Sequence, residues 1–554
     1  MDNKNAAAAP DKVAVVIIHG MGEQRPMETL RGFVETLWER DSSLFKGLAK
    51  PPDHENWDTW SKPDPLTGSS ELRRITTARA RNPHISDRPG IRADFFELHW
   101  ADITADSTWG DFTLWFKRLL WRNPFGCEVP KRVMFVWCLL WLTSIAVLIS
   151  GLSTALTKVP VLKDTDLAGF LNWGGWGWMT VALLVFGATV KAFLTAYFGD
   201  VARYVSASPR NIKVRQAARD RGLKLLRDLH ASGAYGRVII VGHSLGSILA
   251  HDLLALAWAE AAGNIQIADD DDILEAITEC ENAGIELLKL CREKPTPAAT
   301  VSRHDHGCIC AKPADAPRSP EDVRTLAQKL GTYREAQRNL FRLLSEVEVG
   351  PSGQERSAWL VSDLVTLGSP LTHANFLVAQ NGCELHEMMQ SREILRAPPV
   401  YEAKKGSHEP TFTFRSSKAP EFTQMHHAAA FAPVRWTNLH DITSPGMFLR
   451  GDMISGPVAS DYGPGALDLN VRPLRQGFLG GLFPRLFTHT LYWSYPRDGK
   501  GQAPGYIEAL RLAVNVLDDP TIEQQLIQMF EADLSKASAD AAATGAEEGS
   551  SAQG

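Results

Sequence analysis

The sequence predicts an α/β protein with a mostly parallel sheet covered by helices on both faces. Short runs rich in β-branched and apolar residues occur at five places: 13–18, 93–99, 237–241, 360–367 and 434–439. Longer stretches with helical periodicity lie between or after these runs, at 27–38, 214–231, 247–261 and 509–530. Strands that alternate with helices form parallel sheets, and strands buried on both faces are continuously apolar.

Length and composition fit a globular protein of several domains or one domain with insertions. The chain has 554 residues, of which 44% are hydrophobic and 22% charged, so it can bury a core. Lys and Arg number 58 against 64 Asp and Glu, giving a net charge of −6. That balance argues against a general nucleic-acid binder, and seven cysteines do not form a disulfide framework in a chain of this length.

Two long segments, 133–156 and 167–190, contain no charged residue. Each is long enough to span a hydrocarbon core of roughly 30 Å as a helix, and two buried core helices are the alternative. The basic residues of the outer flanks are Lys117, Arg118, Arg122, Lys131, Arg132, Lys191 and Arg203. By the positive-inside rule both flanks are cytoplasmic. We therefore expect a two-span membrane protein of the bacterial inner membrane with its soluble domain in the cytoplasm.

The two uncharged segments form a predicted transmembrane hairpin, 133–190, and the rest of the chain divides into segments of different expected structure. Residues 106–132 combine aromatic and basic residues at helical spacing, which is typical of an interfacial helix on anionic lipid or of a helix packed on the soluble domain. The expected core comprises 12–105, 191–259 and 360–536, with the transmembrane hairpin at 133–190 and a helical, cap-like insertion at 260–359. Residues 1–11 and 537–554 are predicted to be disordered.

The clearest chemical motif is RVIIVGHSLGS at 237–247. A strand leads into Gly242-His243-Ser244-Leu245-Gly246, and a helix follows. A sharp strand-to-helix turn holds a serine hydroxyl clear of the sheet, and Gly242 and Gly246 allow the close packing that this turn needs. We interpret Ser244 as a nucleophile and His243 as a packing residue.

A second turn, His19-Gly20-Met21-Gly22, follows the first strand. Such a turn can direct a backbone N–H at a developing oxyanion, so Met21 and Leu245 are the expected donors. An ordinary tight turn after a strand is the alternative.

A serine nucleophile requires a histidine base and a carboxylate that orients it. His489 follows the last predicted strand and precedes the final helix, which favours it over His426 and His427. Asp452, in a turn rich in Gly and Pro, is the favoured acid. Asp441, at a strand end, is the alternative, and Asp468 is a third carboxylate in the same region. The His and Cys cluster at 304–310 has no common zinc spacing, so no metal is predicted.

Several motifs in chain order carry a resemblance: VVIIHGMGEQ, ELHWAD, VGHSLGS, LVTLGSPL, RWTNLHD, GDMISGPV and HTLYW. Together they resemble the α/β-hydrolase superfamily, in particular its lipase-like bacterial branch, here with an inserted transmembrane hairpin. The resemblance implies an α/β-hydrolase-type sheet, Ser244 as nucleophile, His489 as base, and Met21 with Leu245 as oxyanion donors. It also supports Asp452 as the acid.

These observations predict a membrane-anchored serine hydrolase that cleaves an ester bond in a lipid or acylated substrate through an acyl-enzyme. No metal or organic cofactor is required. The expected partners are the lipid bilayer and the acyl ester, with no nucleic acid, and protein partners are not predicted. An acyltransferase on the same fold and a catalytically silent membrane-bound interaction protein are the alternatives.

Overall fold

The structure is a computed structural model. It describes residues 12–20, 25–41, 44, 59–67, 71–80, 90–104, 138, 141–142, 145, 204, 209–268, 272–293, 319–349, 356–379, 381–400, 412–416, 419–442, 450–452, 454–475, 485, 488–495 and 503–551. The predicted segments 1–11 and 106–132 lie outside the described residues. So does the hairpin, 133–190, except for four helical residues of its first segment: Cys138, Trp141, Leu142 and Ile145.

The described residues form an α/β structure around one eight-stranded, mostly parallel sheet, which confirms the predicted class. The strands of the sheet are β1 (Lys12–Ile18), β2 (Thr59–Pro63), β3 (Arg73–Thr77), β4 (Arg92–Leu98), β5 (Arg237–His243), β8 (Val361–Leu367), β11 (Arg435–His440) and β12 (Ala466–Asn470). Their spatial order is β12-β11-β8-β5-β1-β4-β3-β2. Two short ribbons complete the strands: β6 (Glu348–Val349) with β7 (Arg356–Ser357), and β9 (Thr413–Ser416) with β10 (Ala419–Met425).

The strands from β4 to β12 in this order are parallel, while β3 and β2 join the sheet antiparallel at one edge. Every residue of β5 and β8 is buried, as expected for strands covered on both faces. Strands β2 and β3 were not predicted, because TWSKP and RRITT lack an apolar run. β2 forms the edge of the sheet and is largely exposed, which polar residues suit, whereas β3 pairs on both sides and buries Ile75, Thr76 and Thr77.

The longer helices lie between and after these strands. The helices are α1 (Glu28–Val34), α2 (Ala101–Thr104), α3 (Pro209–Ala231), α4 (Leu245–Ala262), α5 (Asp272–Glu293), α6 (Pro320–Glu346), α7 (Ala374–Leu377), α8 (Gly382–Gln390), α9 (Ala459–Tyr462), α10 (Gly505–Val514) and α11 (Pro520–Ser551). A π-helical turn, Glu35–Glu39, extends α1, and a 3₁₀ turn, Pro370–His373, precedes α7.

The strand order determines where a site is expected. After β1 the chain continues to β2, β3 and β4, which all lie on one side of β1. After β5 it continues to β8, which lies on the opposite side. Neighbouring strands whose connections diverge open a crevice at their carboxyl ends, where ligands bind in open α/β sheets. Ile18 pairs with Gly242 at this point, so His19 and Ser244 follow immediately at the same edge.

The insertion at 260–359 contains the two predicted helices, α5 and α6. The structure places α6 against the sheet, beside the start of β11. Buried Arg334 of α6 donates to the Trp436 carbonyl oxygen at 3.0 Å, and buried Gln337 donates to the carbonyl oxygens of Phe431 and Val434. This part of the insertion therefore contributes to the core.

The C-terminal tail differs from the prediction. Helix α11 continues to Ser551, so most of the segment 537–554 is helical rather than disordered. The segment contains seven Ala residues and two Glu residues, which have high helix propensity, and this composition favours a helix.

Within the described part of the chain, one helix, α4, is long and apolar enough to cross a membrane by length and composition. It is also mostly buried, as core helices of soluble proteins are. The predicted spans, 133–156 and 167–190, gain no support from the described residues.

The chain divides into two compact units. The first consists of Met1–Gly20, Gln24–Trp100 and Gln216–Gly554 and contains the sheet. The second consists of Met21–Glu23 and Ala101–Arg215. In the second unit, Arg215 donates to the Tyr204 carbonyl oxygen at 3.0 Å.

Candidate active site

Ser244 stands on the sharp turn between β5 and α4. Its backbone lies at φ 53° and ψ −130°, a conformation that costs a non-glycine residue free energy and that recurs at functional sites. Gly246 makes the turn possible, because a methyl group there would lie 2.3 Å from the Ile18 carbonyl oxygen and 2.4 Å from that of His19. Gly242 ends the apolar part of β5 and pairs with Ile18.

The end of β8 and the loop after it hold this strained turn. Ser244 donates its backbone N–H to the Leu367 carbonyl oxygen at 2.9 Å. The Ser247 hydroxyl donates to the Ser244 carbonyl oxygen at 2.6 Å and also lies 2.6 Å from the Ser369 hydroxyl. Both hydroxyls are fully buried, so these hydrogen bonds form without competition from water.

Three of the predicted site residues come together at this turn. The Nε2 atom of His489 lies 2.8 Å from the Ser244 hydroxyl oxygen. Its Nδ1 atom lies 2.9 Å from Oδ2 of Asp452. An ionised carboxylate only accepts hydrogen bonds, so Nδ1 carries the proton and Nε2 is left to accept from the serine. Nucleophile, base and acid therefore have the hydrogen-bond order that acyl transfer requires.

Asp452 is 1% exposed and accepts from four donors among the described residues. The backbone N–H groups of Ile454 and Ser455 reach Oδ1 at 2.9 and 3.3 Å, while Tyr492 and His489 reach Oδ2. Burial by itself raises the pKa of this carboxyl, but the facing His489 and the donated hydrogen bonds outweigh burial and hold the pKa well below its ordinary range. The carboxylate is therefore ionised wherever the base must work.

Asp441, the alternative acid, is fully buried at the end of β11 but bonds to other groups. It accepts from the Thr488 hydroxyl at 2.6 Å and forms an ion pair with Arg485. Burial raises its pKa, although both partners oppose this effect. Asp452 is therefore hydrogen-bonded to the imidazole of His489, whereas Asp441 is bonded to Arg485 and Thr488, in the segment that precedes His489.

His243 packs beside the site, as predicted for the residue before the nucleophile. It donates through Nε2 to the His489 carbonyl oxygen at 2.8 Å and lies edge-on to Trp493. Burial, together with the neighbouring His489, lowers the pKa of His243 to about 3. The neutral imidazole of His243 therefore holds the backbone of His489 and places no positive charge beside the His489 ring.

One of the two expected oxyanion donors is described. Leu245 is the first residue of α4, and the first N–H groups of a helix have no acceptor within it. Met21 lies outside the described residues. The strand end that precedes it is held by Trp100, whose backbone N–H donates to Nε2 of His19 at 3.1 Å and whose indole donates to the His19 carbonyl oxygen at 3.1 Å.

Gly20 lies directly against the nucleophile. A methyl group at this position would come within 2.7 Å of the Ser244 Cβ atom. The turn after β1 can therefore approach the reacting hydroxyl only because residue 20 has no side chain.

The rival residues have other partners. His426 accepts from the Ala428 backbone N–H at 3.1 Å, and exposed His427 donates to the Arg392 carbonyl oxygen at 3.2 Å. Asp468 accepts from Asn438 at 2.7 Å and from the backbone of the turn before α9. These contacts give Asp468 a structural role at the edge of the sheet.

The sequence reasoning missed two residues at the site, Tyr492 and Ser455. Tyr492 donates to Oδ2 of Asp452 at 2.7 Å, and the Ser455 hydroxyl lies 3.1 Å from the Tyr492 hydroxyl. Both residues are close in sequence to predicted ones: Tyr492 follows His489 by three residues, and Ser455 follows Asp452 by three. That spacing is the one signal that could have drawn attention to them.

Among the described residues, no group of three or more His, Cys, Asp or Glu side chains is arranged to hold a metal ion. The cluster at 304–310 lies outside them. Comparison with protein-family models, with curated proteins and with solved structures finds no match to this chain.

Proposed function

We propose that this protein is a serine ester hydrolase of the α/β-hydrolase type that acts on a lipid or acylated substrate. The observation that carries the proposal is the continuous path Ser244–His489–Asp452, with hydrogen bonds of 2.8 and 2.9 Å. Chance rarely aligns a hydroxyl, an imidazole and a buried carboxylate on the strained turn at a topological switch point.

In the first half-reaction, the Ser244 oxygen attacks the ester carbonyl carbon while Nε2 of His489 takes the hydroxyl proton. The carbonyl oxygen becomes an oxyanion, which the Leu245 N–H and the helix terminus behind it stabilise. Collapse of this intermediate breaks the bond to the leaving alcohol, which takes the proton from His489. The products are an acyl-serine and a free alcohol.

In the second half-reaction, water takes the place of the alcohol. His489 accepts a proton from water as its oxygen attacks the acyl-serine, and then returns that proton to the Ser244 oxygen as the acid leaves. Asp452 stays ionised throughout and stabilises the imidazolium in each half-reaction. Residues of this chain supply every proton-transfer group in the cycle.

We further propose that residues 133–190 attach the enzyme to the membrane, with its catalytic unit in the cytoplasm. The support is compositional: two uncharged segments of about 24 residues each match the thickness of the hydrocarbon core. Attachment would raise the local concentration of lipid-borne esters at the site.

The test of the chemistry is covalent labelling of the full chain in detergent with a fluorophosphonate, followed by hydrolysis of a panel of acyl esters. We expect labelling of the native protein, none of Ser244→Ala, and full labelling of Ser345→Ala, whose hydroxyl donates to the Arg342 carbonyl oxygen within α6. A native protein that is folded yet neither labelled nor active would contradict the proposal and favour an interaction protein.

Product analysis with and without an added alcohol distinguishes hydrolysis from acyl transfer. Free acid as the main product supports the hydrolase, whereas preferential formation of a new ester would assign an acyltransferase. Carbonate extraction of membranes tests attachment: retention of the chain in the pellet supports an integral anchor, and release would refute it.

A further inference from the structure

The triad acid carries a second, unpredicted donor. The Tyr492 hydroxyl and the His489 Nδ1–H both donate to Oδ2 of Asp452, at 2.7 and 2.9 Å. Tyr492 is 1% exposed, so its hydrogen bond to the carboxylate is not exchanged for one to water. Two donors therefore share the charge of one oxygen atom.

The direction of the tyrosine hydrogen bond is fixed by the groups behind it. The Asp441 backbone N–H donates to the Ser455 hydroxyl oxygen at 3.2 Å, and that hydroxyl lies 3.1 Å from the Tyr492 oxygen. Because the carboxylate can only accept, Tyr492 must donate to it, and Ser455 is then the donor to Tyr492. Burial raises the pKa of the Tyr492 phenol well above its ordinary value, with Asp452 adding to the effect, so this donor keeps its proton.

We infer that Tyr492 is a positioning residue that sets how strongly Asp452 stabilises the protonated form of His489. The inference rests on the proposed hydrolase. By donating to the oxygen that faces the imidazole, Tyr492 withdraws negative charge from that oxygen and fixes the plane of the carboxylate. A triad without this donor would hold the imidazolium more tightly and would need a higher pH to free the base.

The other ionisable groups around the site do not account for such an effect. His243 touches the His489 backbone and lies 6.2 Å from the Tyr492 ring, but it is neutral above its pKa of about 3. Asp441 is paired with Arg485. Both groups are unchanged when only the Tyr492 hydroxyl is removed, so they contribute equally to both pH profiles.

The test is Tyr492→Phe in the full-length protein, with Tyr506→Phe as the matched control. Tyr506 is also buried and donates to the Ser494 carbonyl oxygen at 2.6 Å, so both variants lose one tyrosine hydrogen bond. The first readout is the acidic limb of the kcat/KM profile for a soluble ester. The second is the downfield proton resonance of the His489 Nδ1–H, identified by its loss in His489→Ala and followed against pH without turnover.

For Tyr492→Phe we expect both readouts to move to higher pH by about half a unit, which is less than the full effect of a hydrogen bond to a charged group because the other donors to Asp452 remain. Ser455→Ala keeps the tyrosine but removes its alignment, so it should produce a smaller shift in the same direction. Tyr506→Phe should produce none.

A lower rate with both pH profiles unchanged would overturn the inference and leave Tyr492 a purely structural role. A resonance that shifts in Tyr492→Phe although the native protein hydrolyses no ester would support the inference and refute the proposed reaction. The two failures are therefore distinguishable.

Discussion

The two buried carboxylates near the candidate base should respond very differently to the same small substitution. In Asp452→Asn, one acceptor oxygen becomes an amide NH₂ group. Of the described residues, four donate to this side chain, two at each oxygen, so either orientation of the amide opposes at least two donors. If the amide nitrogen faces His489, the imidazole must place its proton on Nε2, where it blocks proton transfer from Ser244.

The expected loss in kcat is about 10³- to 10⁴-fold, the order found when a triad acid becomes an amide. At about 1.4 kcal/mol for each factor of ten, this loss corresponds to roughly 4–5.5 kcal/mol of transition-state stabilisation. The oxyanion donors and substrate binding remain, so activity should not fall to the uncatalysed rate.

In Asp441→Asn, the amide oxygen can still accept from Thr488, and the ion pair with Arg485 is lost. The imidazole keeps its carboxylate. We therefore expect a loss of about 1–3 kcal/mol in the free energy of unfolding and no more than about a tenfold loss in kcat/KM.

The assay compares the two variants with the native protein by ester hydrolysis and by the rate of fluorophosphonate labelling. Thermal unfolding of the same samples shows whether each variant is folded. If Asp441→Asn lost more activity than Asp452→Asn while remaining folded, Asp452 would not be the acid, and the reasoning from hydrogen-bond distances would be refuted.

Two further predictions concern the scaffold. In Gly246→Ala, the added methyl group meets backbone oxygen atoms of Ile18 and His19 that cannot move aside, so thermal unfolding should show a loss of about 3 kcal/mol or more. Gly331→Ala in α6 should be neutral or slightly stabilising, because its methyl group would lie 3.8 Å from its nearest neighbour; equal losses would contradict the packing argument. Burial raises the pKa of Glu97 to about 7 from an ordinary 4.5, so the stability contributed by its protonated form is complete below pH 4.5 and is lost as the pH rises through 7. Glu97→Gln should lack that loss, which amounts to about 3 kcal/mol. If the free energy of unfolding depended on pH in the same way in both proteins, the raised pKa of Glu97 would be disproved.

The sequence was informative where a local pattern has one physical cause. Runs rich in β-branched and apolar residues located β1, β4, β5, β8 and β11 to within one or two residues. β1 and β5 have the nearly continuous apolar run that is typical of a strand buried on both faces, whereas β8 and β11 also bury polar side chains such as Asp363 and Asn438. It was uninformative at the sheet edges. Strand β12 contains two polar residues in five, and β2 and β3 are mostly polar, so neither periodicity nor hydropathy distinguished them from loops.

The predicted structure of a segment was wrong where its composition is compatible with two kinds of structure. The stretch after residue 536 is rich in Ala, Ser and Glu, which suits either an unstructured tail or an exposed helix, and the structure has the helix. The insertion at 260–359 was predicted to be helical, but the face that α6 presents to β11 depends on contacts such as that of Arg334 with the Trp436 carbonyl oxygen.

By itself, the amino-acid sequence determined the class of fold, the sharp turn at Ser244 and the candidacy of His489. The fold class and the turn follow from patterns of residues close together in the chain, and His489 was favoured by its order along the chain. Tertiary structure alone decided which carboxylate faces the imidazole and that Tyr492 shares its oxygen. Asp441 and Asp452 are 11 residues apart and both are buried, so composition and spacing give them similar environments. Only the packing of the turn onto the end of the sheet directs one side chain toward His489 and the other toward Arg485.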